Sequence, residues 1–280
     1  MFLPPSDLRR LGILAPSRLN EPAASNRERL AATFDSSADL YQGARPEYPA
    51  ALYERLHEVT GLQAPARLLE VGCATGKATV PLARLGFRIT ALEPGAALAA
   101  AARVNLAGYE VDVVEARFED WEPNGAVFDL VFPATAWHWG RSGGAVSEAG
   151  AVLRPDGHLA VWGAGHVIPY DGDPFFEEIQ EIYEEIGEGL PAGSVTPRPG
   201  ELADEHEEIE ASGFFEVIET RQYDWETIHD AESYIDLLNT FSGHIAMAEW
   251  QRERLTAKSG GASRSATTAD SAATGEQSFR

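Results

Sequence analysis

Cysteine is almost missing from this chain of 280 residues, and Cys73 stands alone. A single cysteine cannot close an intramolecular disulfide, so the chain is expected in a reducing compartment, the cytoplasm. Long apolar runs are missing too. No stretch approaches the ~20 residues that span a bilayer. Met1-Phe2-Leu3-Pro4-Pro5 and Leu11-Gly12-Ile13-Leu14 hold no extended apolar core, so no signal peptide is expected. Basic residues are scarce: 22 Lys and Arg face 44 Asp and Glu, for a formal net charge of -22. That balance argues against a nucleic-acid partner and against an anionic membrane surface, since both need a basic face. The histidines at 57, 158, 166, 206, 229 and 244 do not cluster at metal-ligand spacing, and His206-Glu207-Glu208 is not H-E-x-x-H, so no metal is expected. A Gly-x-Ser-x-Gly elbow is absent, which leaves a hydrolase triad without support.

At 44% hydrophobic, the chain has enough apolar material for a substantial core. Its organising stretch is Leu68-Leu69-Glu70-Val71-Gly72-Cys73-Ala74-Thr75-Gly76-Lys77, followed by Ala78-Thr79-Val80-Pro81-Leu82-Ala83. It reads as a buried strand, a turn of small residues and the start of a helix. Small residues at 72, 74 and 76 let a ligand approach the backbone, and the following helix presents N–H groups to the turn. Such a unit binds the polar part of a nucleotide-like ligand.

Three ligands compete for this turn. A P-loop needs G-x-x-x-x-G-K-[ST], but Gly72 to Gly76 is one residue short and Ala78 follows Lys77. A dinucleotide fingerprint needs G-x-G-x-x-G, which Gly72-x-Ala74-x-Gly76 does not supply. Glu70 would repel a pyrophosphate, yet it suits a cationic ligand with an amino group. S-adenosylmethionine carries both a sulfonium and an ammonium. The stretch resembles the first motif of the class I S-adenosylmethionine-dependent methyltransferases, (E/D)-x-G-x-G-x-G, with Ala74 in place of the middle glycine. Glu70, Gly72, Cys73, Ala74, Thr75 and Gly76 are therefore expected at the cofactor, with Cys73 as a small packing residue. An ordinary strand–helix turn is the bland alternative.

Glu93 adds an independent match. It ends the second expected strand, Arg88–Glu93, before Pro94-Gly95, and stands 17 positions after Gly76. An acid there hydrogen-bonds a ribose diol. The third strand is expected near Val111–Glu115. In the resembled family the loop after it meets the adenine, which places Phe118 and Glu119 there. Arg117 stands where an acid is common, and Phe118 serves through its ring, through its N–H, or as a core residue. The fourth strand, Phe128–Phe132, leads to Ala134-Thr135-Ala136-Trp137-His138-Trp139, which resembles the family's fourth motif. Ala134 is expected at the cofactor and His138 on the acceptor side, as a catalytic base, or else as a packing or hydrogen-bonded histidine. Ahead of the core, Phe34–Tyr41 and Arg45-Pro46-Glu47-Tyr48-Pro49 resemble the family's entry segment. Tyr41 and Arg45 are then lid residues over the cofactor, or else a minor core.

The elements alternate strand and helix, which predicts an α/β fold with a doubly wound, mostly parallel sheet. A helix is predicted over 50–60 and a fifth strand over His158–Trp162. Phe175, Phe176, Ile179, Ile182, Tyr183 and Ile186 form one helical stripe in an insertion at about 164–200. A sixth strand is predicted at Phe214–Tyr223 and helices near 230–241 and 245–257. The expected organisation is a loosely ordered leader at 1–33, a domain over 34–258 and a disordered tail at 259–280. The tail has no alternating apolar run, so the seventh strand usual for the resembled fold is expected to be missing or supplied by another segment. The resemblance implies methyl transfer from S-adenosylmethionine to a small-molecule acceptor. A cofactor-binding protein without catalysis, a sensor or partner subunit, is the alternative from another class.

Overall fold

Neighbouring residues of β1 (Arg67–Val71) are buried on opposite sides of one sheet, and this sets the architecture. Leu68 packs with Leu52, Leu56, Leu82, Ala99 and Ala102, and Leu69 packs with Val131, Val146, Ala149 and Phe215. A strand with both faces covered reads as a continuous apolar run, as Leu68-Leu69 does. The computed structural model describes residues 38–137, 144–190, 196–202, 206–261 and 266–279. The leader expected at 1–33 lies outside them.

Around β1 are β2 (Arg88–Leu92), β3 (Val111–Val114), β4 (Phe128–Pro133), β5 (Leu153–Val167), β6 (Phe215–His229) and β7 (Ala266–Phe279). The sheet order is β3-β2-β1-β4-β5-β7-β6. β1 lies parallel between β2 and β4, β3 adds parallel to β2, and β5 adds parallel to β4. One face is covered by α2 (Ala50–Thr60), α3 (Thr79–Arg84) and α4 (Ala96–Asn105), with α1 (Ala38–Ala44) lying against α4. The other carries α5 (Ala145–Val152) and α7 (His206–Ala211). The fold is thus the expected doubly wound, mostly parallel α/β sheet. The helix predicted at 50–60 is α2, which ends at Gly61 in the left-handed conformation, φ +61°, with its N–H bonded to the His57 carbonyl. Glycine takes that cap without the Cβ penalty.

The insertion helix α6 (Phe175–Glu185) does not join either face of the sheet. Phe175, Phe176, Ile179 and Ile182 pack instead with Tyr234, Leu237 and Leu238 of α8 (Ala231–Leu238) and Leu255 of α10 (Glu249–Gly261). With α9 (Ser242–Ala246) these elements make a cap with its own small core. β5 runs well past the sheet's ligand edge to reach it. Val161 lies level with Val71 through Pro133, by the β1–β4 and β4–β5 registers. His166 lies five residues further on, ~16 Å along the strand.

Two expectations are corrected. The fifth strand, expected over His158–Trp162, runs from Leu153 to Val167; Asp156 takes the left-handed conformation, φ +61°, and the strand continues through an irregularity in its pairing with β4. The seventh strand expected to be missing is present: β7 enters antiparallel between β5 and β6, and α10 itself continues to Gly261. β7 pairs with β5 from Val167↔Ala269 to His158↔Ser278 and with β6 from His229↔Ala266 to Phe215↔Phe279. Sequence periodicity senses only side-chain burial. A strand set between two others satisfies its N–H and C=O groups on both sides, so little apolar side chain is required of it.

Candidate functional site

Beyond Val71 the chain alternates in and out of left-handed backbone: Gly72 at φ +74°, Ala74 at +48° and Gly76 at +88°. A Cβ on Gly72 would stand 2.7 Å from the Ala136 Cβ, so the loop after β4 closes on this glycine. A Cβ on Gly76 would stand 3.0 Å from the Leu106 Cδ1 of the helix α4 side. Ala74 keeps its Cβ in a conformation that costs an L-residue roughly 1–2 kcal/mol. The turn is tied to β2, because Gly72 and Cys73 both donate N–H bonds to the Leu92 carbonyl at 2.9 Å. Asn105 Nδ2 donates to the Thr75 carbonyl at 2.8 Å and holds its far side. α3 begins only at Thr79 and is short, so the turn itself, more than a helix end, forms the cradle.

Two acids converge here. Glu70 is fully buried, and Thr79 Oγ1 donates to its Oε2 at 2.5 Å. Burial pushes its pKa up to about 8; the Thr79 bond opposes that shift and the Glu93 charge adds to it. Its Oε1 is buried with no hydrogen-bond partner among the described residues, and so is Thr75 Oγ1. Glu93 is 6% exposed. Its Oε2 accepts the Ala74 N–H at 2.8 Å and its Oε1 the Gly95 N–H at 2.8 Å. The residue read as a ribose ligand therefore also braces the turn. Pro94 beside it is exposed. Cys73 is 4% exposed, burial pushes its thiol well up, and it acts as the small packing residue expected.

The loop after β3 lies against Glu93: the Glu93 N–H bonds the Val114 carbonyl and the Ala116 N–H bonds the Glu93 carbonyl. Phe118 opens a short 3-10 turn, Phe118–Asp120, and its ring goes into the core with Leu69, Leu92 and Val131. The core alternative thus describes its ring, which leaves only its backbone for a ligand. Glu119 is half-buried in the same turn and Arg117 is exposed.

Tyr41 and Arg45 arrive from α1 and the segment after it. Burial raises the Tyr41 pKa; the Arg45 charge works against that, and Glu93 and Glu70 are close enough to add to it. The Arg45 guanidinium lies 5.3 Å from the centroid of the Tyr41 ring and 4.1 Å from that of Phe241, and its Nη2 donates to the Thr240 carbonyl at 2.9 Å. Tyr41 and Arg45 are thus brought near the turn and tied to the cap. Ala134 bridges to Trp162 in parallel fashion. His138 and Trp139 lie outside the described residues.

Sequence reading missed a second polar contact at this edge. Thr135 is left-handed at φ +56°, its N–H donates to the Trp162 carbonyl at 2.7 Å, and its Oγ1 accepts the Ala164 N–H at 3.2 Å. Its hydroxyl also meets Tyr48 Oη at 2.7 Å. Burial pushes the Tyr48 phenol up, and its ring stands edge-on to Trp162 at 6.1 Å. No local pattern signals a left-handed threonine or a partner 87 residues away. A groove of about 550 Å³ lined by Arg67, Arg88, Tyr109, Glu110 and Phe128 lies at the opposite edge, where β1 and β2 begin, and it contains none of the motif. Among the described residues no group of His, Cys, Asp and Glu is placed to hold a metal, and no helix is long and apolar enough to cross a membrane.

Comparison with known proteins bears on this edge. A methyltransferase-domain family matches residues 68–157, which run from β1 into β5. An uncharacterized methyltransferase of Mycobacterium tuberculosis is 29% identical over 166 residues, 55% of this chain and 66% of its own length. One from Schizosaccharomyces pombe is 27% identical over 168 residues, 56% of this chain and 61% of its own. The match thus spans less than two thirds of these relatives. Among solved structures, a protein named as a type II methyltransferase from Anaeromyxobacter dehalogenans superposes with a TM-score of 0.55, covering 84% of this chain and 97% of that one at 24% identity. A mycolic acid cyclopropane synthase complexed with S-adenosylhomocysteine gives 0.51, covering 92% and 99% at 18% identity. At these identities the structures speak for the fold.

Proposed function

We propose that this chain, which belongs to the class I S-adenosylmethionine-dependent methyltransferase superfamily, moves a methyl group from S-adenosylmethionine to a small-molecule acceptor. The observation that carries this reading is the convergence of Glu70, Thr75 and Glu93 on one left-handed turn at the ligand edge of the sheet. The fit to the cofactor rests on the buried Glu70 Oε1 and Thr75 Oγ1, which have no partner among the described residues and suit an ammonium and a polar edge. Buried polar atoms left in that state cost ~1–3 kcal/mol each, so a ligand that satisfies them gains.

Glu70 and the 72–76 backbone would hold the amino-acid end, and Glu93 the ribose diol. The backbone of Phe118 with Glu119 would meet the base, and Tyr41 and Arg45 would cover it. When bound, S-adenosylmethionine supplies an electrophilic methyl on a sulfonium that is already a good leaving group. The chain's work is then to orient the acceptor and exclude water, and alignment of this kind is worth up to ~7–11 kcal/mol in the best cases. His138 is the proposed proton acceptor, which would add ~10²–10⁴-fold where the acceptor must lose a proton. The lone buried Cys73 supports a reducing, cytoplasmic setting.

The test is a calorimetric titration of the full chain with S-adenosylmethionine and then with NAD, followed by an assay for S-adenosylhomocysteine in the presence of extract metabolites. Binding of the first ligand alone, with turnover, is expected. Binding without turnover would favour a non-catalytic cofactor-binding protein, and NAD binding would overturn the reading. Glu93→Ala should weaken the cofactor by roughly 1.5–3 kcal/mol, since it removes a charge-assisted bond; unchanged affinity with an intact fold would count against the ribose assignment. His138→Ala should lower turnover while leaving cofactor affinity in place.

A further inference from the structure

Above the turn, basic side chains from separate parts of the chain gather round one ring. Phe241, between α8 and α9, has the Arg45 guanidinium 4.1 Å from its centroid and the His166 and His244 rings at 5.5 Å and 5.6 Å. Arg45 follows α1, His166 sits near the end of β5, and His244 lies in α9. Tyr183 of α6 closes the group, its hydroxyl 2.6 Å from His244 Nε2. His244 is 9% exposed.

The sign of this cluster runs against the molecule. A chain of net charge -22 has acids to spare, yet the groups that act on the buried His244 are the basic side chains of His166 and Arg45. Burial is the first cause and those basic groups the next, and together they lower its pKa to about 4, with no carboxylate among the described residues lifting it. Arg45 also connects the cluster to the cofactor edge. Its guanidinium lies over the Tyr41 ring on one side, and Tyr41 is within electrostatic reach of Glu70 and Glu93. The rings of Tyr41, Phe241 and Tyr183 make up the apolar part of this group, and the Arg45 guanidinium over the first two brings its fixed positive charge.

We propose that Arg45, His166, His244 and Tyr183 form the acceptor subsite and that it takes the carboxylate of a small aromatic acid. The inference deepens the methyltransferase reading and rests on it. A carboxylate receives charge-assisted hydrogen bonds from guanidinium, imidazole and phenol together, which a neutral isostere cannot match. It also supplies the negative charge that His244 lacks, so its arrival raises the His244 pKa towards the usual imidazole range.

The experiment uses the full chain with ¹⁵N-labelled histidine, with S-adenosylhomocysteine binding measured separately by calorimetry. Benzoate, phenylacetate and 3-phenylpropionate are titrated against the matched alcohols while the imidazole signals are followed. One of the acids is expected to bind about tenfold tighter than its alcohol, and to move the signal that His244→Gln removes towards the protonated form. His244→Gln and Tyr183→Phe should each erase most of that preference. Arg45→Gln, with its fold checked by circular dichroism, serves the same end should the His244 variant fail to fold. Equal binding of acids and alcohols, no binding of any acid, or a preference that survives these substitutions overturns the proposal. If S-adenosylhomocysteine binds in that case, the methyltransferase reading stands without it; if S-adenosylhomocysteine does not bind, both fall.

Discussion

At the scale of single residues, the fold keeps Glu70 as a neutral acid at physiological pH. Its folded pKa of about 8 lies above the ordinary 4.5, chiefly through burial. Between those values the unfolded chain gives up the proton and the folded chain retains it. The contribution of Glu70 to stability is therefore complete below about pH 4.5 and falls as pH rises towards 8, by an amount on the order of a few kcal/mol. Glu70→Gln should flatten that part of the curve. Denaturant midpoints at about pH 5 and about pH 8 check this, and a wild-type midpoint that falls no more than the variant's would contradict it. The same acid would make binding of the proposed cofactor proton-linked. An ammonium beside Glu70 favours its ionised form, so binding near neutral pH should release a proton, seen as a calorimetric enthalpy that varies with the buffer and loses that variation in Glu70→Gln. Ala74 gives a second residue-level prediction. Its left-handed φ of +48° costs roughly 1–2 kcal/mol, and Ala74→Gly relieves it against a backbone-entropy penalty of ~0.5–1 kcal/mol. Cofactor affinity should be equal or better and stability unchanged or slightly higher; a clear drop in affinity would mean that the methyl makes a needed contact.

At the scale of elements, β7 is the sharpest test. Its backbone pairs on both sides, with β5 and with β6. The central amides of Ala266–Phe279 should therefore exchange with solvent as slowly as those of β5, and fast exchange along that whole segment would restore the disordered tail that its composition suggests. The contrast shows what was legible. Strands β1 to β4 and helices α2 and α6 were readable because their apolar residues follow the period of their own element. Glu70, Gly72, Gly76 and Glu93 were readable because their spacing along a strand, a turn and the next strand is local. The Tyr48–Thr135 contact, the Phe118 ring and the Phe241 cluster were not. Each depends on where distant segments meet: Tyr183 and His244 are 61 positions apart and join only because α6 packs on α8 and α10. β5 was read as a short run because Gly163, Ala164 and Gly165 interrupt its apolar pattern, though they interrupt no backbone pairing with β7.

At the scale of the whole molecule, the net charge of -22 acts on the two proposed ligands in opposite directions. A field of one sign over the surface speeds the approach of the opposite charge and slows that of the like charge, and salt screens both effects over a Debye length of ~8 Å at physiological ionic strength. S-adenosylmethionine carries a net positive charge through its sulfonium and ammonium, so the field draws it in. A carboxylate acceptor is repelled until it reaches the local positive charge of Arg45. Raising ionic strength from low salt to about the physiological level should therefore slow association of S-adenosylmethionine and speed association of the aromatic acid. Stopped-flow association rates measured with both ligands across that range would show the two slopes. The matched neutral alcohol should show almost none, which separates steering from any effect of salt on the fold. Slopes of the same sign for the cofactor and the acid would mean that local charge at the site, not the charge of the whole molecule, governs their entry.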